Sequence, residues 1–165
     1  VIPQTMTLNF QSGIAEDTLL FGSIHRAEWD TAQITIPEIL NGVNPLTSAK
    51  DTKVSKVGSN FSTRTAYSLG LGRKINENFS ALGSYSTEGG GGATSADPFT
   101  LTDGSQTLGL GVRYTKDNMT ITGGYSYTKV GDVKVTYPMT PLPSLTATYA
   151  DNKVTGLGLK IGFSF

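Results

Sequence analysis

The sequence predicts an all-β protein: an antiparallel transmembrane β-barrel wall of about seven strands. Three observations lead there. Large apolar side chains recur with period two, not with the helical period of about 3.6. Tight polar turns alternate with long connections along the chain. Arg64, Arg113 and Lys160 fall on the strand parity opposite the large apolar residues.

The last segment carries the pattern best. Leu157, Leu159, Ile161, Phe163 and Phe165 alternate with Gly156, Gly158, Lys160, Gly162 and Ser164. One face is large and apolar, the other small or polar. In a membrane barrel the apolar face meets lipid and the other lines the lumen.

The same reading gives a first strand over Gln4–Ile14, with Met6, Leu8 and Phe10 outward and Thr7, Asn9 and Gln11 inward. A second runs from Thr18 to Ile36, where Leu19, Leu20 and Phe21 leave the faces ambiguous. The third spans Asn60–Ile75, with Tyr67, Leu69 and Leu71 outward. The fourth spans Phe79–Thr87. The fifth spans Ser105–Thr115, with Leu108, Leu110, Val112 and Tyr114 outward. The sixth spans Met119–Val130, with Met119, Ile121, Tyr125 and Tyr127 outward. Each reaches the ~9–11 residues that a tilted spanning strand requires.

The connections Ala15–Asp17, Asn76–Asn78 and Lys116–Asn118 are short and polar, whereas 37–59, 88–104 and 131–150 are long. Outer-membrane barrels have short periplasmic turns and long external loops. This order predicts a periplasmic C-terminus at Phe165. Aromatics fit two interfacial girdles: Phe79, Tyr114, Phe163 and Phe165 at one end, Trp29, Phe61, Tyr85 and Tyr127 at the other.

A lysine or arginine facing mid-bilayer lipid costs roughly 2–4 kcal/mol. Arg64, Arg113 and Lys160 take the lumen parity of their strands. The same cost, applied to the ambiguous second strand, turns Arg26 and Glu28 inward and leaves His25 and Trp29 outward. Lys129 and Lys153 take the lipid parity near the outer rim, where long side chains can snorkel.

Composition narrows the function classes. Charged residues make up 16% of the 165 residues and the formal net charge is zero, which argues against nucleic acid as a partner. Only 37% of residues are hydrophobic, too few for a large dry core but enough for a wall wetted on one side. There are no cysteines, so disulfide and thiolate chemistry are excluded. No segment approaches the ~20 apolar residues of a membrane helix. No charged-then-apolar leader opens the chain at Val1, and the expectation is a piece of something longer.

No enzyme or cofactor signature emerges. His25 is the single histidine; Ser23 shares its parity and Asp30 follows in sequence, but an outward His25 cannot serve a nucleophile. No His and carboxylate cluster has metal-ligand spacing. Asp97 and Asp103 alone make no calcium loop. The run Gly89–Gly92 lacks the lysine and helix of a phosphate loop.

Several stretches resemble a known family. Ile2-Pro3-Gln4, a strand, a turn and then Thr18-Leu19-Leu20-Phe21-Gly22-Ser23-Ile24 ending at Glu28-Trp29 is similar to the outer-membrane long-chain fatty-acid and aromatic-hydrocarbon transporters. Gly124-Tyr125-Ser126-Tyr127 with Val133-Lys134-Val135 resembles their penultimate strand and loop. Gly158 to Phe165 resembles their last strand. The resemblance implies a barrel of about fourteen strands with an N-terminal hatch. Residues 1–165 would then be a C-terminal portion of the barrel without the hatch and first strands. It implies passive transport of a hydrophobic compound, with outer-membrane lipid and the missing barrel half, or another envelope chain, as partners. A structural or surface-interaction barrel subunit without transport is the other reading.

On that reading, Arg26, Arg64, Arg113 and Lys160 are the lumen cations, able to hold a fatty-acid carboxylate or to pair with Glu28 and hatch carboxylates. The Pro-rich segment Tyr137–Leu145 offers Met139, Leu142 and Leu145 either as an outer hydrophobic capture groove or as packing over the barrel mouth. An odd strand count leaves an open sheet, whose unpaired backbone groups cost several kcal/mol each in lipid.

Overall fold

A computed structural model describes residues 2–31, 34–36, 55–57, 62–90, 102–137 and 143–164. Along the chain lie β1 (Thr5–Ala15), β2 (Thr18–Ala27), a one-turn helix (Trp29–Thr31), β3 (Ile34–Ile36), β4 (Ser55–Val57), β5 (Arg64–Lys74), β6 (Phe79–Glu88), β7 (Ser105–Lys116), β8 (Met119–Val130), β9 (Val133–Tyr137), β10 (Leu145–Tyr149) and β11 (Lys153–Phe163). Seven strands form one antiparallel meander in the order β1-β2-β5-β6-β7-β8-β11. The short strands pair separately, β3 with β4 and β9 with β10.

The seven expected spanning strands are therefore present, with two corrections. The second ends at Ala27 rather than Ile36. The backbone leaves the sheet there because residues 28–31 close a local turn, in which Thr31 donates its N–H (3.3 Å) and its hydroxyl (2.9 Å) to the Glu28 carbonyl. Ile34–Ile36 then pairs with Ser55–Val57 in a small hairpin of its own. The third begins at Arg64 rather than Asn60. The third long connection contains the β9–β10 hairpin. Phe61, Gly91, Gly92, Asp97, Met139, Leu142 and Phe165 lie outside the described residues.

Turn chemistry follows the sequence. Asp17 and Asp117 adopt φ of 55° and 51° in the two tightest turns, a left-handed conformation that Asp tolerates better than most residues. In the turn between β5 and β6, the Asn76 side-chain oxygen accepts from the N–H groups of Asn78 (3.0 Å) and Phe79 (2.9 Å). Asn78 then donates through Nδ2 to the Thr115 carbonyl at 2.7 Å, tying this turn to the next hairpin.

Because directly paired residues share a face, the register sorts every side chain. Leu8 opposes Ile24, Ile24 opposes Tyr67, and Tyr67 opposes Thr87. Leu71, Gly83, Leu110, Tyr125 and Leu157 form a continuous row on this apolar face. It is broadly exposed, up to 85% at Leu157. A sheet of this kind has no interior core on that side, and the exposure is what a lipid-facing wall requires. Phe79 and Tyr114 pack as a tilted ring pair at 4.8 Å near its short-turn end. The opposite face carries Gly70, Ser84, Gly109, Ser126 and Gly156 in one row. Two of its rungs are hydroxyl pairs: Ser23 with Ser68 and Thr107 with Thr128, both at 2.8 Å.

The tightest packing lies at the long-connection end. Val133 and Val135 of β9 are 2% and 1% exposed. Gly104 has φ of 81°, and a Cβ there would lie 2.6 Å from the Glu88 carbonyl oxygen. Gly131 donates to the Gly104 carbonyl at 2.9 Å, lacing the two connections together. Gly104→Ala is expected to lower unfolding free energy in detergent by about 1–3 kcal/mol, because the site combines left-handed backbone with no space. Gly158→Ala, where nothing lies within 4 Å, is expected to be near neutral. Equal urea midpoints for the two variants would contradict this packing.

Candidate functional site

The polar face holds the candidate site. Arg64 stands at its long-connection end, paired with Glu88 at 3.3 Å and reaching Asp103 at 4.0 Å. Its second nitrogen donates to the Thr102 carbonyl at 3.4 Å. Its charge is thus matched by carboxylates, and it knits the end of β5 to the connection before β7.

Arg113 and Lys160 lie at the other end. Arg113 opposes Thr122, and Thr122 opposes Lys160. On the other side Arg113 opposes Ser80, and Ser80 opposes Lys74. One row across the sheet therefore reads Lys74, Ser80, Arg113, Thr122, Lys160, with cations on alternate strands and hydroxyls between. Strands spaced about 4.8 Å apart put successive cation backbones roughly 10 Å from each other. Among the described residues none of the three has a carboxylate within ion-pairing distance. Arg113, Thr122 and Lys160 line a concavity of about 460 Å³ with Asn118 and Ser164.

Beside this row the polar face turns apolar. Leu19, Phe21 and Leu82 share it, because Leu19 opposes Gly72, Gly72 opposes Leu82 and Phe21 opposes Gly70. The Phe21 ring lies across Gly70, where no side chain would fit. The missing side chains at Gly72 and Gly111 widen the space into a concavity of about 760 Å³, with Lys74 and Arg113 among its lining residues. Sequence reading missed this patch and Lys74. The run Leu19-Leu20-Phe21 hid it, since a run without alternation does not declare its inward members.

The register overturns one placement. Arg26 opposes Met6 and Thr65, on the apolar face with Leu8 and Ile24, not in the lumen. It sits at the end of β2 with Glu28 3.7 Å away, so the rim supplies water and a partner. Charge cost governs mid-membrane positions, and at a strand end it no longer decides the face. His25 correspondingly lies on the polar face, opposite Thr7 and Ala66, with Thr7 Oγ1 2.8 Å from its Nδ1. Ser23 bonds Ser68 rather than His25. Among the described residues no three His, Cys, Asp or Glu side chains gather as a metal site. Leu145, 59% exposed at the start of β10, is the described member of the expected capture loop.

A hydrogen-bonded meander with one lipid-suited face and one hydroxyl- and cation-bearing face has the fold of an outer-membrane β-barrel wall. The crystal structure of a Pseudomonas aeruginosa FadL homologue matches it with a TM-score of 0.64 at 12% sequence identity, over 96% of this chain and 33% of that one. At that identity the likeness is one of fold, and this chain spans about one third of the homologue's length. No protein-family model matches the sequence, and no curated protein matches it.

The β2 face assignment is directly testable. In bilayers, a fluorophore on a cysteine at Ile24 is expected to be quenched by brominated lipid, and one at Ser23 to be insensitive. The opposite result would restore an inward Arg26.

Proposed function

We propose that this chain is part of an outer-membrane barrel that passes hydrophobic compounds with an acidic headgroup, long-chain fatty acids foremost, passively across the bacterial outer membrane. One observation carries the reading. An apolar concavity at Leu19, Phe21 and Leu82 adjoins the cations Lys74, Arg113 and Lys160 on the polar face. An acyl chain occupies the first and a carboxylate the second. Its size falls in the ~300–1,000 Å³ range of small-molecule sites. Arg113 lines both concavities and is the residue best placed for the carboxylate, which a guanidinium holds bidentately. Arg64, already matched by Glu88, has a structural role at the outer end. Arg26, on the apolar face, takes no part. Leu145, with Met139 and Leu142, contributes an apolar entry at the external side.

In this reading the short turns and the C-terminus are periplasmic and the long connections external, as in other outer-membrane barrels. A companion segment closes the barrel. The edge strands β1 and β11 run in the same direction, because seven antiparallel strands separate start from finish by six reversals. Two copies inserted the same way would meet with parallel edges. An all-antiparallel closure needs an odd number of further strands, whose outer members run the other way. More N-terminal polypeptide of the same protein fits that requirement.

Oleate binding to the purified protein in neutral detergent tests the site. The Arg113→Ala/Lys160→Ala pair is expected to weaken oleate about 10- to 100-fold, the loss of a hydrogen bond to a charged group worth about 1.5–3 kcal/mol. Affinity for toluene, which has no charge, should not change. Unchanged oleate affinity would leave a structural barrel subunit as the better reading.

A further inference from the structure

The apolar face has a charged feature of its own. Going towards the long-connection end, its rows pass through Leu110, Tyr125 and Leu157, then Leu108, Tyr127 and Thr155, and finish at Gln106, Lys129 and Lys153. Lys129 and Lys153 stand directly opposite each other on β8 and β11. Like charges so placed repel. Both side chains are exposed. Their neighbours in the row and in the row beneath, Gln106, Tyr127 and Thr155, are neutral at pH 7.

Among the described residues neither ammonium group has a carboxylate within ion-pairing distance. Two carboxylates lie close by in sequence. Asp132 is engaged with the backbone N–H of Asp151 at 3.0 Å. Asp151 sits in the turn before β11 with φ of 57°, outside ion-pairing distance of Lys153. The pair is therefore a double positive charge without a carboxylate at ion-pairing distance among the described residues, although Lys129 lines a concavity with Glu88, Asp103 and Asp132. It caps a strip that ends in a tyrosine and begins in leucines, at the height where spanning strands give way to loops.

We infer that Lys129 and Lys153 form a binding site for a phosphorylated lipid headgroup of the outer leaflet, with its acyl chains lying along Leu108, Leu110 and Leu157. This rests on the membrane-barrel reading above. A phosphate monoester carries between one and two negative charges and three acceptor oxygens, enough to join both ammonium groups and remove their repulsion. The source is a lipid rather than a soluble anion because large apolar side chains continue below the lysines on the same face, through Leu108, Tyr127, Leu110, Tyr125 and Leu157, with Thr155 the one small polar member of the row beneath. Tyr127, one row below, stands where interfacial aromatics meet headgroups. The lysines are on the opposite face from Lys74, Arg113 and Lys160, so this site is separate from the one proposed for transport. β11 is an edge strand, but its side chains project from the faces of the sheet, and a strand added along that edge leaves Lys153 outward.

The test uses protein inserted in detergent micelles and titrated with bis-phosphorylated lipid A, its phosphate-free form, or inorganic phosphate, with bound lipid counted by native mass spectrometry. Lipid A is expected to bind and the phosphate-free form to bind much more weakly. Lys129→Gln/Lys153→Gln should weaken lipid A about thirtyfold, with the contribution typical of two lysines at a charged surface, and should leave oleate affinity unchanged. Equal binding of lipid A by the double variant and the unaltered chain would overturn the inference. Inorganic phosphate displacing lipid A at equal concentration would overturn the lipid assignment. Failure of the unaltered protein to insert into micelles at all would instead count against the membrane reading on which it rests.

Discussion

Hydrogen-bonded register ties each side chain in this sheet to a neighbour on the next strand. Leu8 faces Ile24, Ile24 faces Tyr67, and the row runs on through Thr87, Gln106, Lys129 and Lys153. No residue can change face alone. A slip of one position would move a whole strand's apolar set to the other side. The uniform antiparallel pairing of seven strands thus produces two faces of opposite character, and the locations of the inner cations, the apolar patch and the rim lysines follow from it.

The polar face is not uniform. Small residues and hydroxyls make most of it, and their cross-strand bonds satisfy one another, as Ser23 does with Ser68. Against this neutral background the charges separate by end. At the long-connection end Arg64 is matched by Glu88 and Asp103. At the short-turn end Lys74, Arg113 and Lys160 share a row with no carboxylate within ion-pairing distance among the described residues. A wall built only for stability would be expected to match its cations at both ends. On the proposed reading, that asymmetry leaves a place for an anion, and the concavity at Leu19, Phe21 and Leu82 a surface for the rest of an amphiphile.

The two ends also differ mechanically. The short turns are closed by their own side chains, Asn76 and Asn78 among them. The other end is held by tight backbone crossings at Gly104 and Gly131 and by the buried valines of β9.

Much of this was legible in the residues. Period-two alternation in β5, β7, β8 and β11, and the alternation of short and long connections, determined the strand count, the antiparallel meander and the faces of Arg64, Arg113 and Lys160. Each of these depends on local pattern, and local pattern survives in a single sequence. Strand β2 did not yield, because Leu19, Leu20 and Phe21 are apolar on both parities and Arg26 lies at a rim where charge no longer selects a face. Only pairing with β1 and β5 decided that Phe21 and His25 point to the polar side and Arg26 away from it. The cation row is likewise invisible in the chain, since Lys74, Arg113 and Lys160 are far apart in sequence and become neighbours through the register of five strands. Alternation is written in the order of residues; adjacency across a sheet arises only when the strands have paired.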